Sequence, residues 1–424
     1  MNTTIKALRA RQILDCKARP MVEVDLITEG GAMGRGSAPT GTSVGMYESY
    51  VLRDEDPNEY NGMSVHRAVQ NVLDVIAPAI IGMDVRDQEA IDQKMIALDG
   101  TPNKRNLGGN AIYSVSIAAL RAAADSENVP VYTYLAKEVP KTTPLPTFNL
   151  INGGQNGPVK QAFNEFIVAP YRATCVEEAV EMGVMVHAKL ESVLQRYTGA
   201  PLLTGKSYGY AAPSDDPAQI LALLAEAVDQ CGYTGKVAYA LDCASSEMYD
   251  AGDCTYELKS RRVCGEELID FVKGLTQSFP LLFVEDLMDE NDWDGFARAH
   301  RTLTKTCLIG DDFTVTNMER LQRAHEMQCV DGFILKPNQV GTLTEAFATH
   351  AFAQAHGMFT VPSGRAGGTV GDIVSDLALG LYTKISKNGV PRTGERLDRV
   401  NILLRASSEA GTSRICDLSA LVRF

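Results

Sequence analysis

The chain has 424 residues, of which 45% are hydrophobic and 22% are charged, and its formal net charge is −13. This length is more than one ordinary core supports and predicts two domains. The negative charge argues against a nucleic-acid backbone or an anionic membrane as the main partner, and no apolar run is long enough to span a bilayer. Because the first residues also lack an apolar signal segment, we expect a cytoplasmic protein that binds neither nucleic acid nor membrane.

The first third of the chain begins with strand-like segments separated by turns rich in glycine, proline and threonine, as in QILDCKARPMVEVDLITEGG. Helical periodicity follows and predicts helices over 64–80 and 110–125. Strands followed by helices are typical of an α+β domain, which we place at residues 1–140. The proline-containing stretch 141–146 is the expected linker into a second domain.

Residues 141–424 show a different pattern, in which short apolar runs alternate with amphipathic helices such as 317–327 and 343–356. Continuous apolar runs are typical of strands covered on both faces. Their alternation with helices predicts parallel βα units and favours a closed βα-barrel, so the fold class is α/β. Five runs, VAYALD, LLFVED, CLIGDD, GFILK and FTVPS, reach Asp242, Glu285, Asp311, Lys336 and Ser363.

The polar residues that end these runs indicate a shared site. The carboxyl ends of barrel strands converge on one mouth, so we expect Asp242, Glu285 and Asp311 to lie together with Lys336. Each charge taken alone also fits an ordinary turn former or helix cap, but a capping lysine directly after Phe-Ile-Leu is unusual. Three carboxylates without cysteine or histidine favour Mg²⁺ over Zn²⁺.

Such a site is suited to removing the proton α to a substrate carboxylate, because a bound cation stabilises the resulting enediolate. Lys336 is the expected base. It acts at neutral pH only if its pKa falls from about 10.4 to roughly 7–8, which nearby positive charge favours. Lys387, in the segment KISKNGVP, is a candidate source of that charge.

Many ordered blocks of the chain resemble the enolase (phosphopyruvate hydratase) family. They include ARQILDCKARPMVEVD, LDGTPNKRNLGGNAIYSVSIA, FNLINGGQNGPVKQAFNEFIVAP, ALDCASSEMY, VEDLMDENDWDGF, IGDDFTVTN, LKPNQVGTLTEA and GERLDRVNILLR. The resemblance implies an N-terminal enolase-type α+β domain and a C-terminal enolase-type barrel. It also implies a small anionic carboxylate or phosphate substrate and a homodimer or larger homo-oligomer.

The resemblance implies roles for single residues as well. It assigns Asp242, Glu285 and Asp311 as Mg²⁺ ligands, with Ser43 as ligand of a second Mg²⁺ that binds with substrate. The base falls on Lys336 and its companion on Lys387, and Glu165, in Asn164-Glu165-Phe166, matches a catalytic carboxylate. The substrate-binding positions fall on Arg365, Ser363, Asn156 and Tyr208.

The chain departs from the family pattern in three loops. Where the family has a Gly-Asp-Glu-Gly-Gly loop with the glutamate that protonates the leaving hydroxyl, this chain has TGKSYGYAAP, without an acid in 204–213. Lys206, Ser207 or Tyr208 takes that place. Asn156 stands where a histidine is expected, and Ser363-Gly364-Arg365-Ala366 lacks the second histidine and the serine that contacts phosphate.

Three functions are compatible with this pattern. The first is a Mg²⁺-dependent enolase-type lyase acting on 2-phosphoglycerate or a related phospho- or phosphono-hydroxy acid. The second is a diverged enzyme that shares the enediolate step but has another outcome, as in carboxyphosphonoenolpyruvate synthases. The third is a binding or scaffold protein without activity, which the retention of three carboxylates and two lysines disfavours.

Overall fold

The computed structural model describes residues 1–41, 45–154, 159–410 and 414–424. Its N-terminal part begins with an antiparallel meander of β1 (Ile5–Leu14), β2 (Pro20–Thr28) and β3 (Met33–Ser37). The helices that follow are α1 (His66–Asn71), α2 (Ala77–Ile80), α3 (Gln88–Asp99), α4 (Gly109–Ser126) and α5 (Val131–Ala136). A π-turn over Val72–Ile76 joins α1 to α2. Pro78 explains this irregularity, because it has no N–H to donate to a preceding carbonyl.

Strand β3 packs against α4 at backbone distance. A Cβ atom at Gly34 would lie 1.9 Å from the carbonyl oxygen of Ala118, and one at Gly36 would lie 2.1 Å from that of Ser114. Only glycine permits this approach. The sheet and α4 therefore enclose the core of the N-terminal part, to which β2 contributes an almost fully buried strand.

Eight strands of the C-terminal part form a barrel. They are β4 (Leu145–Gly154), β5 (Gln161–Ala169), β7 (Ala238–Asp242), β11 (Leu281–Glu285), β12 (Cys307–Gly310), β13 (Gly332–Leu335), β14 (Phe359–Pro362) and β15 (Ile385–Lys387). They are hydrogen-bonded in the order β14-β13-β12-β11-β7-β5-β4-β15, and a parallel bridge between Ser363 and Lys387 closes the ring. The short β6 (Tyr210–Ala211) pairs with β4, and β8 (Tyr249–Asp250), β9 (Thr255–Leu258) and β10 (Arg261–Val263) form a separate small sheet.

The predicted α/β barrel is confirmed, with one difference in strand direction. Strand β5 runs antiparallel to both of its neighbours, β4 and β7, whereas the remaining barrel pairs are parallel. Glu165 in the middle of β5 is therefore paired with Asp242 at the end of β7. The rule that functional residues follow parallel strands does not apply to β5, so the pattern of apolar runs alone gave no indication of Glu165.

Helices surround the barrel and connect its strands. They are α6 (Val176–Thr198), α7 (Pro217–Gln230), α8 (Gly265–Ser278), α9 (Trp293–Thr302), α10 (Met318–Glu326), α11 (Pro337–Val340), α12 (Leu343–Ala355), α13 (Val374–Gly380) and α14 (Gly394–Ala410). Asp216, Asp292, Asn317 and Thr342 cap α7, α9, α10 and α12 through side-chain oxygens that accept backbone N–H groups. Across the described ranges, every helix is too short or too polar to cross a bilayer.

Polar contacts join the N-terminal part to the barrel. Asp92 of α3 accepts hydrogen bonds from the backbone N–H and the hydroxyl of Thr344 at 3.0 and 2.7 Å. Lys104 lies 3.0 Å from Glu345 in the first turn of α12. The loop that carries Glu48 is bound to the barrel through Ser49, whose backbone N–H and hydroxyl donate to the carbonyls of Gln339 and Asn338, each at 2.7 Å.

Candidate active site

Three carboxylates converge where neighbouring barrel strands end. Asp242 and Glu285 are the last residues of β7 and β11, and Asp311 directly follows β12. All three are buried, with exposed fractions of 7%, 0% and 7%. The structure therefore brings together the three residues that the strand ends predicted.

The electrostatic surroundings give these three carboxyl groups different pKa values. Burial raises the pKa of Asp242 to about 6, opposed by the ammonium group of Lys387. Burial, reinforced by the charge of Asp242, raises the pKa of Glu285 well above its usual range. Burial acts to raise the pKa of Asp311, but the charge and hydrogen bond of Lys336, together with the charges of Lys387 and Arg365, outweigh it, and the pKa lies below its usual value.

Two lysines reach this cluster from β13 and β15. Lys336 directly follows β13 and its ammonium group pairs with Asp311. Lys387, the last residue of β15, lies 2.6 Å from Glu285, 3.2 Å from Glu165 and 3.7 Å from Asp242. Burial opposes protonation of both lysines, but these carboxylates outweigh it and raise the pKa of each above its ordinary value. The lowered pKa expected for Lys336 is therefore not the direction found in this arrangement.

Glu165 completes the cluster from the antiparallel strand β5. Its Oε1 accepts a hydrogen bond of 2.7 Å from the side-chain amide of Asn149. The neighbouring Asn164 donates to Asp242 at 3.2 Å. Both amides thus orient carboxylates of the cluster.

Arg365 provides a third buried cation in the site. It follows β14 by three residues, and its guanidinium group lies 2.7 Å from Glu48 of the N-terminal part, with both side chains at most 5% exposed. Ser363 pairs with Lys387 across the closing point of the barrel, and its hydroxyl donates to the carbonyl of Gly364 at 3.2 Å. The N-terminal part therefore contributes directly to the site.

These groups surround an open cavity with an accessible volume of about 140 Å³. The charged residues of its described lining are Glu165, Lys206, Asp242, Glu247, Asp286, Asp311, Asp312, Lys336, Arg365 and Lys387. Glu285 is fully buried outside this lining and contacts the cluster through Lys387. A cavity with converging carboxylates, two lysines and an arginine is suited to binding an anionic substrate through local cations.

Two family models match the chain. The model described as "Enolase, N-terminal domain" covers residues 5–135, and the one described as "Enolase, C-terminal TIM barrel domain" covers residues 140–417. The chain belongs to the enolase family. It is accordingly a lyase of the phosphopyruvate hydratase type.

Curated relatives give the same assignment over nearly the whole length. The chain is 39% identical over 411 residues to the enolase of Methanocaldococcus jannaschii, covering 97% of this chain and 96% of the relative. It is 40% identical over 410 residues to the enolase of Methanopyrus kandleri, with 96% of each chain covered. The enolase of Methanosarcina barkeri is 38% identical over 409 residues, covering 96% and 95%.

The residues of this enolase-family lyase fit a divalent cation. The donors are carboxylate oxygens, which Mg²⁺ prefers. Among the described residues, Oε1 of Glu285 is buried without a hydrogen-bond partner, which leaves a carboxyl oxygen available to a cation. A second possible set overlaps the first, since oxygens of Asp286, Asp311 and Asp312 lie within 4.8 Å of one another.

We regard Asp286 as a positioning residue and not as a ligand. Its two carboxylate oxygens already accept hydrogen bonds of 2.8 and 2.7 Å from the backbone N–H groups of Asp311 and Asp312. Burial raises the pKa of Asp286 well above its usual range and that of Asp312 to about 8. Sequence reasoning missed both residues, although the pairs Glu285-Asp286 and Asp311-Asp312 were visible in the runs VED and GDD.

The loop 204–213 places Lys206 and Ser207 in the cavity wall. Tyr208 lies outside the described lining, and its hydroxyl donates to the carbonyl of Cys16 at 2.6 Å. Burial raises the pKa of Tyr208 to about 12. Its hydroxyl is thus committed to the main chain, and the geometry gives no support to the predicted contact with substrate.

Sequence reasoning also missed Glu247, which follows β7 in the block ALDCASSEMY. This carboxylate lines the cavity together with Lys206, and burial raises its pKa. Two predicted residues, Ser43 and Asn156, lie outside the described residues. Gly364 and Ala366, which replace family residues, line the cavity beside Arg365.

Proposed function

We propose that this lyase removes the α-proton of a carboxylic acid that carries a phospho or phosphono group, and that its main substrate is 2-phosphoglycerate. The observation that carries the proposal is the convergence of Lys336, Lys387, Asp242 and Asp311 in one cavity with Arg365, with Glu285 buried against Lys387. The similarity to enolases over nearly the whole chain supports the same reaction class.

The cation of this reaction is Mg²⁺ in our proposal, held by Asp242, Glu285 and Asp311, with Ser43 as ligand of a second ion. A divalent cation held by these residues supplies stabilisation of the negative charge that develops on the substrate carboxylate. The all-oxygen donor set and the unpartnered oxygen of Glu285 support this assignment.

Lys336 is the proposed base, and Asp311 holds its amine in the cavity wall. A cation bound by Asp311 would offset the carboxylate charge that raises the pKa of Lys336. Lys387 and Glu165 form the opposite wall, where the ammonium group balances the carboxylates and orients the substrate carboxylate. Arg365 binds the phosphoryl group, since a guanidinium presents several N–H donors to a tetrahedral oxyanion.

Elimination of the β-hydroxyl needs a proton donor, and we assign it to Glu247. Tyr208 is unsuitable because its hydroxyl is bonded to Cys16 and its pKa is about 12. Glu247 lines the cavity, and burial raises its pKa, which favours the protonated form. General acid catalysis typically contributes about 10² to 10⁴ in rate.

A second function is favoured by the altered loops. Because Lys206, Ser207 and Gly364 replace family groups in the cavity wall, the same proton abstraction can lead to another outcome, as in a carboxyphosphonoenolpyruvate-synthase-like enzyme. The family resemblance further supports a cytoplasmic homodimer or larger homo-oligomer as part of this proposal.

The test is incubation with 2-phosphoglycerate and Mg²⁺ in D₂O, followed by proton NMR. We expect loss of the α-proton signal and appearance of phosphoenolpyruvate in the wild type, and neither in Lys336→Ala. The matched control is Lys305→Ala, an exposed lysine before β12, which should behave as wild type.

The outcomes separate the two functions. Loss of the α-proton without product would support the diverged enzyme, because the abstraction step works while elimination of hydroxide does not. Full exchange in Lys336→Ala would show that another group is the base. If the wild type shows neither loss of the α-proton nor formation of phosphoenolpyruvate, 2-phosphoglycerate is not the substrate.

A further inference from the structure

A second, smaller cavity with an accessible volume of about 40 Å³ adjoins the catalytic cavity. The two share Glu165, Ser207, Ser363, Arg365 and Lys387 in their described linings. From this shared wall the second cavity continues to residues of β4 and to the beginning of α14. It is therefore a continuation of the catalytic cavity, and the proposed reaction of 2-phosphoglycerate leaves it without a role.

The second cavity is strongly cationic. Its described lining contains four cationic side chains, Arg365, Lys387, Arg396 and Arg399, but a single carboxylate, Glu165. Arg396 and Arg399 are each only 3% exposed. Burying like charges together is unfavourable unless something compensates them, and Arg399 acts together with burial to lower the pKa of Arg396.

The acceptors nearby bind only some of the N–H donors of these two guanidinium groups. Arg399 donates through Nε to Asp372, and Arg396 donates through Nη1 to Glu395 and Thr393. Within the described residues, both terminal nitrogens of Arg399 and Nη2 of Arg396 have no acceptor. Two buried guanidinium groups thus retain donors beside an open space.

Two glycines make room for these guanidinium groups. A Cβ atom at Gly364 would lie 2.0 Å from Nη2 and 2.2 Å from Cζ of Arg399. A Cβ atom at Gly389 would lie 2.7 Å from Nε of Arg396. Both glycines line the same cavity. Gly364 stands where the family pattern has a histidine. A side chain at this position would collide with the guanidinium group of Arg399, so Arg399 can occupy its place only because residue 364 is glycine.

We propose that the second cavity is a subsite for an oxyanion, of the carboxylate or phosphonate class, carried by the β-carbon of the substrate. The inference rests on the proposed function, because it concerns acids of that phospho or phosphono class that carry one more acidic group than 2-phosphoglycerate. In the proposed function, the α-carboxylate and the phosphoryl group of the substrate are both bound in the catalytic cavity. Only a substituent on the β-carbon of a three-carbon acid therefore remains to enter the second cavity. An oxyanion there accepts hydrogen bonds from Arg396 and Arg399, which a neutral hydroxyl does less well.

The experiment compares two ligands that differ only at the β-carbon. 2-Phosphonosuccinate carries a carboxylate there, and 2-phosphonobutyrate carries a smaller, uncharged methyl group. Their dissociation constants are measured by isothermal titration calorimetry with wild-type protein at saturating Mg²⁺. We expect wild type to bind 2-phosphonosuccinate about tenfold or more tightly, the range of charge-assisted hydrogen bonds.

Variants assign that preference to the arginines. Arg399→Gln should abolish the preference and leave 2-phosphonobutyrate binding within about twofold of wild type, whereas Arg399→Lys, which keeps the charge, should retain part of it. Arg396→Gln provides the same test if Arg399→Gln does not fold. Arg323→Gln, on α10, is the control and should keep the full preference.

Equal affinities in the wild type, or failure of both ligands to bind, would overturn the subsite. Equal losses for both ligands in Arg399→Gln would do the same, because they would indicate general disruption of the cavity. Formation of phosphoenolpyruvate is measured separately in the same preparations. If no phosphoenolpyruvate forms, this result contradicts the proposed function, whereas the binding comparison still tests the subsite.

Discussion

Replacement of Gly364 by alanine tests the packing between residue 364 and Arg399. Gly364 does not adopt the left-handed backbone conformation, so the effect of the substitution comes from its Cβ atom alone. That atom would lie 2.0–2.4 Å from three guanidinium atoms of Arg399. Ordinary contact needs about 3.5 Å or more, so the buried guanidinium group must move by more than 1 Å and weaken its bond to Asp372.

The expected loss of stability follows from these two effects. Overpacking typically costs about 1–3 kcal/mol, and a hydrogen bond to a charged group contributes about 1.5–3 kcal/mol. Because both act on one side chain, we expect Gly364→Ala to lower the free energy of unfolding by roughly 2–4 kcal/mol. The matched control is Gly274→Ala in α8, where no atom lies within 4 Å of the added Cβ and helix propensity should raise stability.

A double-mutant cycle measured by urea unfolding identifies the cause. Arg399→Met alone leaves Asp372 without its partner and should cost about 3–5 kcal/mol. In the Arg399→Met background, Gly364→Ala should lower the free energy of unfolding by almost nothing further, because the guanidinium group that it collides with is gone. The coupling energy between the two substitutions should therefore be about 2 kcal/mol or more. Additive losses, or a neutral Gly364→Ala, would refute the packing argument.

Three further predictions concern the metal ligands, the proton donor and pH. Asp311→Ala should weaken Mg²⁺ binding at least tenfold in a calorimetric titration, and an unchanged affinity would remove Asp311 from the ligand set. Glu247→Gln should retain exchange of the α-proton in D₂O but lower phosphoenolpyruvate formation by about 10² or more, and full activity would require another donor. Burial lowers the pKa of His350 from 6.5 to about 4 in the folded protein, so the unfolded chain binds more protons in this window. The contribution of His350 to the free energy of unfolding should be fully present above pH 6.5, and up to about 3 kcal/mol of it should be lost as the pH falls to 4. The variant His350→Gln, compared by melting temperature across this range, should lack that part of the decline. Parallel pH profiles of the two proteins would contradict the assignment.

The pattern of the sequence by itself determined the α/β class, the barrel strands from β7 to β14 and the positions of Asp242, Glu285, Asp311 and Lys336. This was possible because buried parallel strands appear as uninterrupted apolar runs, and because strand ends in a barrel converge whatever the connecting helices are. Family resemblance was needed for Glu165 and Arg365. Glu165 lies within the antiparallel strand β5, where no run ends, and Arg365 lies in an irregular loop.

Only the tertiary structure decided which groups meet across long sequence separations. Glu48 pairs with Arg365, and Arg399 lies against Gly364, because the closure of the barrel and the docking of the N-terminal part bring distant loops together. No local period or spacing encodes such contacts. The same holds for Tyr208, whose hydroxyl is bound to Cys16, while Ser207 beside it faces the cavity. A one-residue difference of this kind depends on the path of the loop, which the packing around it determines.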